Sequence, residues 1–167
     1  VLTEILEQVR QTLLPQLNQQ DAHWCVHASD ARPPVRGQRE VLASVLTNLA
    51  SNALNAGGHS TRLDWYLEAH GKTISLTLED DGPGVPAELQ EQIFEPFFTT
   101  RANGTGLGLA VVRAVIDAHR GTIELDPSYR EGARFVLRLP LMETDQHLPS
   151  RMLRNQKKAG VADSRCV

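Results

Sequence analysis

Phe94-Glu95-Pro96-Phe97-Phe98-Thr99-Thr100-Arg101, followed after Ala102-Asn103 by Gly104-Thr105-Gly106-Leu107-Gly108-Leu109, is the stretch on which the fold reading turns. Three glycines at alternate positions open a helical pattern that runs from about Leu107 to His119. Free N–H groups and the positive dipole end of a helix N-terminus suit a phosphate there. The loop lacks the Gly-Lys-Ser or Gly-Lys-Thr of a Walker motif, and its third glycine comes too early for a dinucleotide fingerprint. A plain flexible hinge is the other reading. Three of the four phenylalanines of the chain fall between Phe94 and Phe98. They serve either as core packing or as an aromatic hinge for a lid over a nucleotide, with Arg101 near its phosphates.

Upstream, Asp80-Asp81-Gly82-Pro83-Gly84 follows directly on an alternating, strand-like run. Glycines there let the backbone approach a flat ligand, and a buried Asp80 would accept a hydrogen bond from an exocyclic amine such as that of adenine. An ordinary surface turn has the same composition. Further upstream, Asn48, Asn52 and Asn55 stand at i, i+4 and i+7 in a long helical pattern, Gly37 to Ala56, and so share one face. Asparagine is a mediocre helix former, so the stripe asks for a reason. A solvated outer face and a set of neutral oxygen ligands for Mg²⁺ both supply one.

The flanking pattern sets the architecture. Val1 to Leu14 has helical spacing and is expected to stop at Pro15; a short strand is expected at His23 to Ala28. Thr61 to Ala69 and Thr73 to Glu79 read as a hairpin across His70-Gly71, and Thr122 to Leu125 with Arg134 to Leu139 as a second. A short helix is expected from Pro86 to Ile93. Helices with antiparallel hairpins make an α+β two-layer sandwich, a mixed and mostly antiparallel sheet covered on one face by helices. The expected organisation is an N-terminal helix over 1–20, the main domain over 21–141 and a flexible tail over 142–167.

The chain has 167 residues, a formal charge of −3 and 41% hydrophobic content, enough for one domain with a real core. That charge argues against a nucleic-acid arm or a polybasic membrane patch. No apolar run approaches the roughly 20 residues of a membrane span, so a cytoplasmic segment without direct membrane contact is expected. Cys25 and Cys166 lie near opposite ends and read as thiols in a reducing compartment.

The order of the motifs resembles the ATP-binding fold (Bergerat, or GHKL) shared by histidine kinases, DNA gyrase B, MutL and the ninety-kilodalton heat-shock chaperones, over about Asp21 to Leu141. Phe-Glu-Pro-Phe-Phe-Thr-Thr, then Gly-Thr-Gly-Leu-Gly-Leu, looks specifically like a sensor histidine kinase of the nitrogen-regulator type, and Gly132-Ala133-Arg134-Phe135 is similar to the start of that domain's last strand. The resemblance implies ATP and Mg²⁺ as cofactors. Asn52 would ligate the metal, with Asn48 beside it and Arg101 in catalysis. Asp80 would bind the adenine amine, Gly82 and Gly84 would shape its pocket, and Thr105, Gly106, Leu107 and Gly108 would contact phosphate. Asn55 and Phe97 would also line the nucleotide, although Asn55 stands where the family commonly has lysine, arginine or glutamine. Arg120 replaces the first glycine of a usual His-Gly-Gly turn.

ATP-hydrolysing relatives carry a glutamate where Asn48 stands, and an amide cannot take a proton from water. A kinase is therefore expected over an ATPase. None of the six histidines has the context of a phosphoacceptor. The implied partners are a histidine-bearing dimerisation domain of the same protein and a response regulator, by analogy a sigma-54-type activator, with the isolated chain a monomer. A stand-alone ATPase or serine kinase of the same fold, and a non-catalytic nucleotide-sensing module, remain the alternatives.

Overall fold

Ile74, Leu76 and Leu78 are buried while Ser75, Thr77 and Glu79 between them are not, the two-residue period of a strand with one face on a core. In the computed structural model, which describes residues 1–28, 35, 37–100, 102, 104–142 and 163–166, this strand is β3 (Thr73–Asp80), at the middle of the sheet. It pairs antiparallel with β2 (Arg62–His70) and with β5 (Arg134–Pro140), so that Leu67 and Leu137 flank Leu76 in register. β4 (Thr122–Leu125) extends the β5 edge. On the other side β1 (His23–Ala28) joins β2 in parallel, and β6 (Asp163–Cys166) pairs antiparallel with β1. The sheet order is β4-β5-β3-β2-β1-β6.

A parallel pair needs a crossover, and α2 (Arg39–Gly57) supplies it between β1 and β2. Its stripe of Leu42, Val45, Leu46, Leu49 and Ala53 is buried against the inward residues Leu63, Trp65, Leu76, Leu78 and Leu137. α1 (Leu2–Gln20) and α3 (Gly108–Ala118) pack on either side of α2 and complete the helical layer. Leu2, Leu6 and Val9 of α1 belong to the same core, so this helix is part of the domain's packing. Trp65 is wholly buried, with the Trp24 ring 5.4 Å away. The opposite sheet face is polar: Arg134 bridges Glu79 (2.7 Å) and Asp126 (3.0 Å), and Arg138 pairs with Glu124.

Four expectations are corrected. α1 continues through Pro15 to Gln20. Proline removes one helical hydrogen bond and crowds the carbonyl of Gln11, yet Leu13 and Leu17 on either side are both buried, and their packing carries the helix onward. The segment after Pro86 forms only a 3₁₀ turn, Ala87–Leu89, continued by further turns through Gln92 N–H to Leu89 O (2.9 Å). So short a segment gives few bonds after the costly first turn, and Ile93 is held by its burial. Cys25 and Cys166 are joined in a disulfide, against the expectation of free thiols. Residues 163–166 are a sheet strand, where a flexible tail was expected; the rest of that tail from residue 143 lies outside the described residues.

α3 ends in a motif that bears on Arg120. Its N–H bonds Asp117 O (2.9 Å), and Gly121 N–H reaches back to Ile116 O (2.9 Å), with Arg120 at φ 57°. This is the left-handed position at which helices favour glycine. Arg120→Gly should therefore stabilise the chain by about 0.5–1 kcal/mol, read as a higher urea midpoint at unchanged slope. A lower midpoint would contradict this account of the helix end.

Candidate functional site

Asp80 closes β3 at 4% exposure, a carboxyl in an almost dry position. Its backbone N–H donates to Ala133 O (3.0 Å), and its Oδ1 accepts from Gly82 N–H (2.9 Å) and Ala133 N–H (3.2 Å). Burial pushes the Asp80 carboxyl above its usual range; the two backbone donors pull it back, and the charge of Asp81 adds to the rise. Residue 132 has to be glycine for this arrangement, because a Cβ there would stand 1.9 Å from Asp80 O. The lead into β5 is thereby pressed against the end of β3.

The other end of the site is built by two helices. A Cβ on Gly108, the first residue of α3, would lie 3.3 Å from Asn52 Nδ2, so the first turn of α3 meets the asparagine face of α2 closely. Before it the chain turns at Gly106 (φ 66°), where a Cβ would collide with the Phe97 backbone at 2.3 Å. Gly106 O accepts the Phe97 N–H (2.9 Å), and Thr105 Oγ1 accepts the Leu107 N–H (3.3 Å). One backbone bond thus ties together the two ends of the loop from Phe97 to Gly106.

Between these ends lies a cavity of about 420 Å³, within the size range of small-molecule sites. Asn48, Asn52, Asp80, Gly84, Thr105, Gly106 and Gly108 of the expected site all line it. Gly82 stands behind Asp80 and supports it through its N–H. Leu107 is outside the wall, which its neighbours Gly106 and Gly108 form. Asn55 stands outside the cavity wall: it is exposed on α2, where its Oδ1 accepts from Gln16 Nε2 (3.1 Å) and its Nδ2 donates to Ser51 Oγ (3.3 Å). At seven residues from Asn48 the helix has turned past the cavity. Phe97 also stands outside the wall at 76% exposure, while Phe98 forms part of it and Phe94 sits in the core edge-on to Phe135. Arg101 lies outside the described residues.

The apolar wall is completed by Ala53, Val85, Pro86, Leu89, Ile93, Leu109, Ala133 and Phe135. Sequence reasoning did not assign these to the site; Ala133 carries a signal in retrospect, directly following a glycine at the head of a strand. Among the described residues that line the cavity, Asp80 alone ionises. An adenine ring fits the Asp80 end, which offers one acidic oxygen amid apolar walls. Phosphates fit the α3 end, where backbone donors gather. No group of three or more His, Cys, Asp or Glu side chains among the described residues forms a metal cluster. A hard cation would therefore rest on the carboxamide oxygens of Asn48 and Asn52 and on the phosphates themselves, the donor set that Mg²⁺ accepts.

Comparison with known proteins agrees with this geometry. Residues 37–143 match the family model of the histidine kinase-, DNA gyrase B- and HSP90-like ATPases. The sensor histidine kinase ZraS of Escherichia coli O157:H7 is 40% identical over 114 residues, which cover 68% of this chain and 25% of that protein. The chain thus spans about a quarter of the length of this curated relative. A nucleotide-free structure of the catalytic domain of histidine kinase ThkA superposes with a TM-score of 0.76 at 31% identity, covering 83% of this chain and 93% of that one. ThkA has also been solved in complex with response regulator protein TrrA; there the TM-score is 0.73 at 28% identity, over 83% of this chain and 40% of that one. With an acidic, dry end for a base and a helix N-terminus for phosphates, this chain belongs to the histidine kinase-, DNA gyrase B- and HSP90-like ATPase family, on the side of the catalytic domains of sensor histidine kinases.

Proposed function

We propose that the chain is the catalytic part of a two-component sensor kinase and moves the γ-phosphoryl group of Mg-ATP to a histidine on a dimerisation domain of the same protein. A response regulator, by analogy one that activates transcription with sigma-54, then receives the phosphoryl group. The observation that carries this is the division of one cavity between a buried carboxylate and a helix N-terminus faced by Asn52. Asp80 Oδ1 is committed to two backbone N–H groups, so its other oxygen reads the adenine amine. Asn52, with Asn48 beside it, holds Mg²⁺ through its amide oxygen, and the bound cation supplies neutralisation of phosphate charge. The turn at Thr105 to Gly108 orients the phosphates through backbone N–H groups, and Arg101 is the residue assigned to offset their charge. Positioning and charge neutralisation suffice for phosphoryl transfer. Asn48 offers no base for water, which favours transfer over hydrolysis. The domain acts on the cytoplasmic side, where ATP is held.

Labelled ATP tests the transfer. With a histidine-bearing dimerisation domain supplied, acid-labile label should appear on that histidine, while the chain alone stays unlabelled. Label on the chain itself, label on serine, or steady phosphate release without a partner would each sink the reading.

Two substitutions test the site. Asn52→Ala should remove the Mg²⁺ dependence of nucleotide binding in calorimetry, and an unchanged dependence would exclude it as the ligand. Asp80→Asn should lower ATP affinity about ten- to a hundredfold through loss of a charged hydrogen bond, with less effect on GTP; equal losses for both would remove Asp80 from base recognition.

Asp80 also predicts a pH dependence. A carboxyl whose folded pKa exceeds its unfolded one binds its proton more tightly in the folded chain. Its contribution to stability is complete below the unfolded value of 3.8 and fades as pH climbs through the raised one. Urea midpoints of the wild type should therefore lose ground against Asp80→Asn as pH rises from about the ordinary carboxylate value, then level off. A difference that does not change with pH would contradict the burial argument.

A further inference from the structure

We propose that Cys25 and Cys166 are a reversible thiol–disulfide pair that fastens the C-terminal strand β6 to the edge of the sheet, with a low-molecular-weight disulfide as oxidant. The two cysteines stand 141 residues apart in sequence, yet they are directly opposite in the β1–β6 ladder and disulfide-bonded. Neither lines the nucleotide cavity, so this site is separate from the proposed phosphoryl transfer and does not rest on it.

The sequence of β6 says what holds it. Asp163-Ser164-Arg165-Cys166 has no aliphatic or aromatic residue to bury, and its register with β1 covers four residues. A ladder so short, without an apolar face, is marginal in water. The disulfide lies at its last residue and converts a weak contact into a clasp. It also decides whether the β1 edge is covered, since a bare edge presents a row of unpaired N–H and C=O groups. A crosslink across so long a span of chain removes much of the freedom of the unfolded state.

The exchange follows from the exposure of the two sulfurs. Cys166 is exposed and Cys25 is 7% exposed. The Cys166 thiolate attacks the external disulfide, forms a mixed disulfide and expels one small thiolate. The Cys25 thiolate then attacks the Cys166 sulfur, closing the protein disulfide and expelling the second. Each cysteine loses one electron, the external disulfide is reduced to two thiols, and the two protons released by the cysteines end on those thiols. Excess small thiol runs the sequence backward. In a thiol-rich compartment such a bond is transient, which is the behaviour of a sensor and not of a permanent staple.

The experiment uses the full 167-residue chain with oxidised glutathione as oxidant, iodoacetamide to trap free thiols, and dithiothreitol to reverse the reaction. Peptide mapping should find Cys25 linked to Cys166 in the monomer. The melting temperature by circular dichroism should fall by roughly 10 °C on reduction. Cys166→Ser, with an unchanged far-ultraviolet spectrum to show that it folds, should melt at the reduced temperature with or without dithiothreitol. Alkylation of both cysteines after oxidation, linkage only between chains, or a glutathione adduct that stops at Cys166 would overturn the proposal. So would a melting temperature indifferent to reduction while the link is present.

Discussion

A carboxyl group at 4% exposure is tolerable only if its oxygens are met by donors, and in this chain two backbone N–H groups meet one oxygen of Asp80. The geometry of the site descends from that constraint. Gly82 N–H must turn back toward the strand it has just left, which starts the loop that carries Gly84, Val85 and Pro86 into the cavity wall. Ala133 N–H must arrive from the other side, which brings β5 alongside β3 and forbids a side chain at residue 132. The carboxyl is thus a structural anchor that also faces the cavity. The same burial that raises its pKa keeps water away from the oxygen left for a ligand.

The second end of the site is set by packing. Leu49 and Ala53 of α2 are buried against the sheet, and Asn48 and Asn52, one position before each, are rotated about 100° around the helix. That offset aims the carboxamides between the sheet and α3. α3 is in turn seated by Val112 and Ile116, both wholly buried, and its first turn meets Asn52. The position of the Asn52 amide is therefore decided by apolar residues several ångströms away, and the core sets the geometry of this end of the cavity by fixing the phase of two helices.

How much of this was legible in the sequence follows from the range of the forces involved. β2, β3, α2 and α3 were readable because a two- or three-and-a-half-residue period is written locally and the core reinforces it. Asp80 and the glycines were readable because a turn that demands special backbone announces itself in composition. Pro15 was misread: its local penalty is real, but the burial of Leu13 and Leu17, which continue the stripe of Leu6 and Val9 across it, outweighs that penalty. Asn55 stands off the cavity wall, since a stripe at i, i+4 and i+7 drifts around a helix and its last member passes the edge of the cavity. Phe97 looked like its neighbours, yet its left-handed backbone at φ 67° sends it outward. The Cys25–Cys166 pairing was beyond reach, because contacts between chain ends leave no periodic trace.

The two ends of the cavity differ in kind, and the difference bears on what the site is for. The Asp80 end is made of sheet residues and is buried; the α3 end is made of a loop whose Thr99, Thr100 and Thr105 are exposed. A module that merely sensed a nucleotide would gain affinity by closing both ends, since each ordered contact adds to binding and none need be released. A phosphoryl donor has the opposite need. It must hold the base firmly through groups that do not move, and leave the terminal phosphate where a side chain from another domain can approach in line. Rigid strands around Asp80 and an exposed loop before α3 divide those two tasks between different elements of the fold. That separation, added to the amide of Asn48 where a base for water would stand, is the physical argument for transfer over storage or hydrolysis.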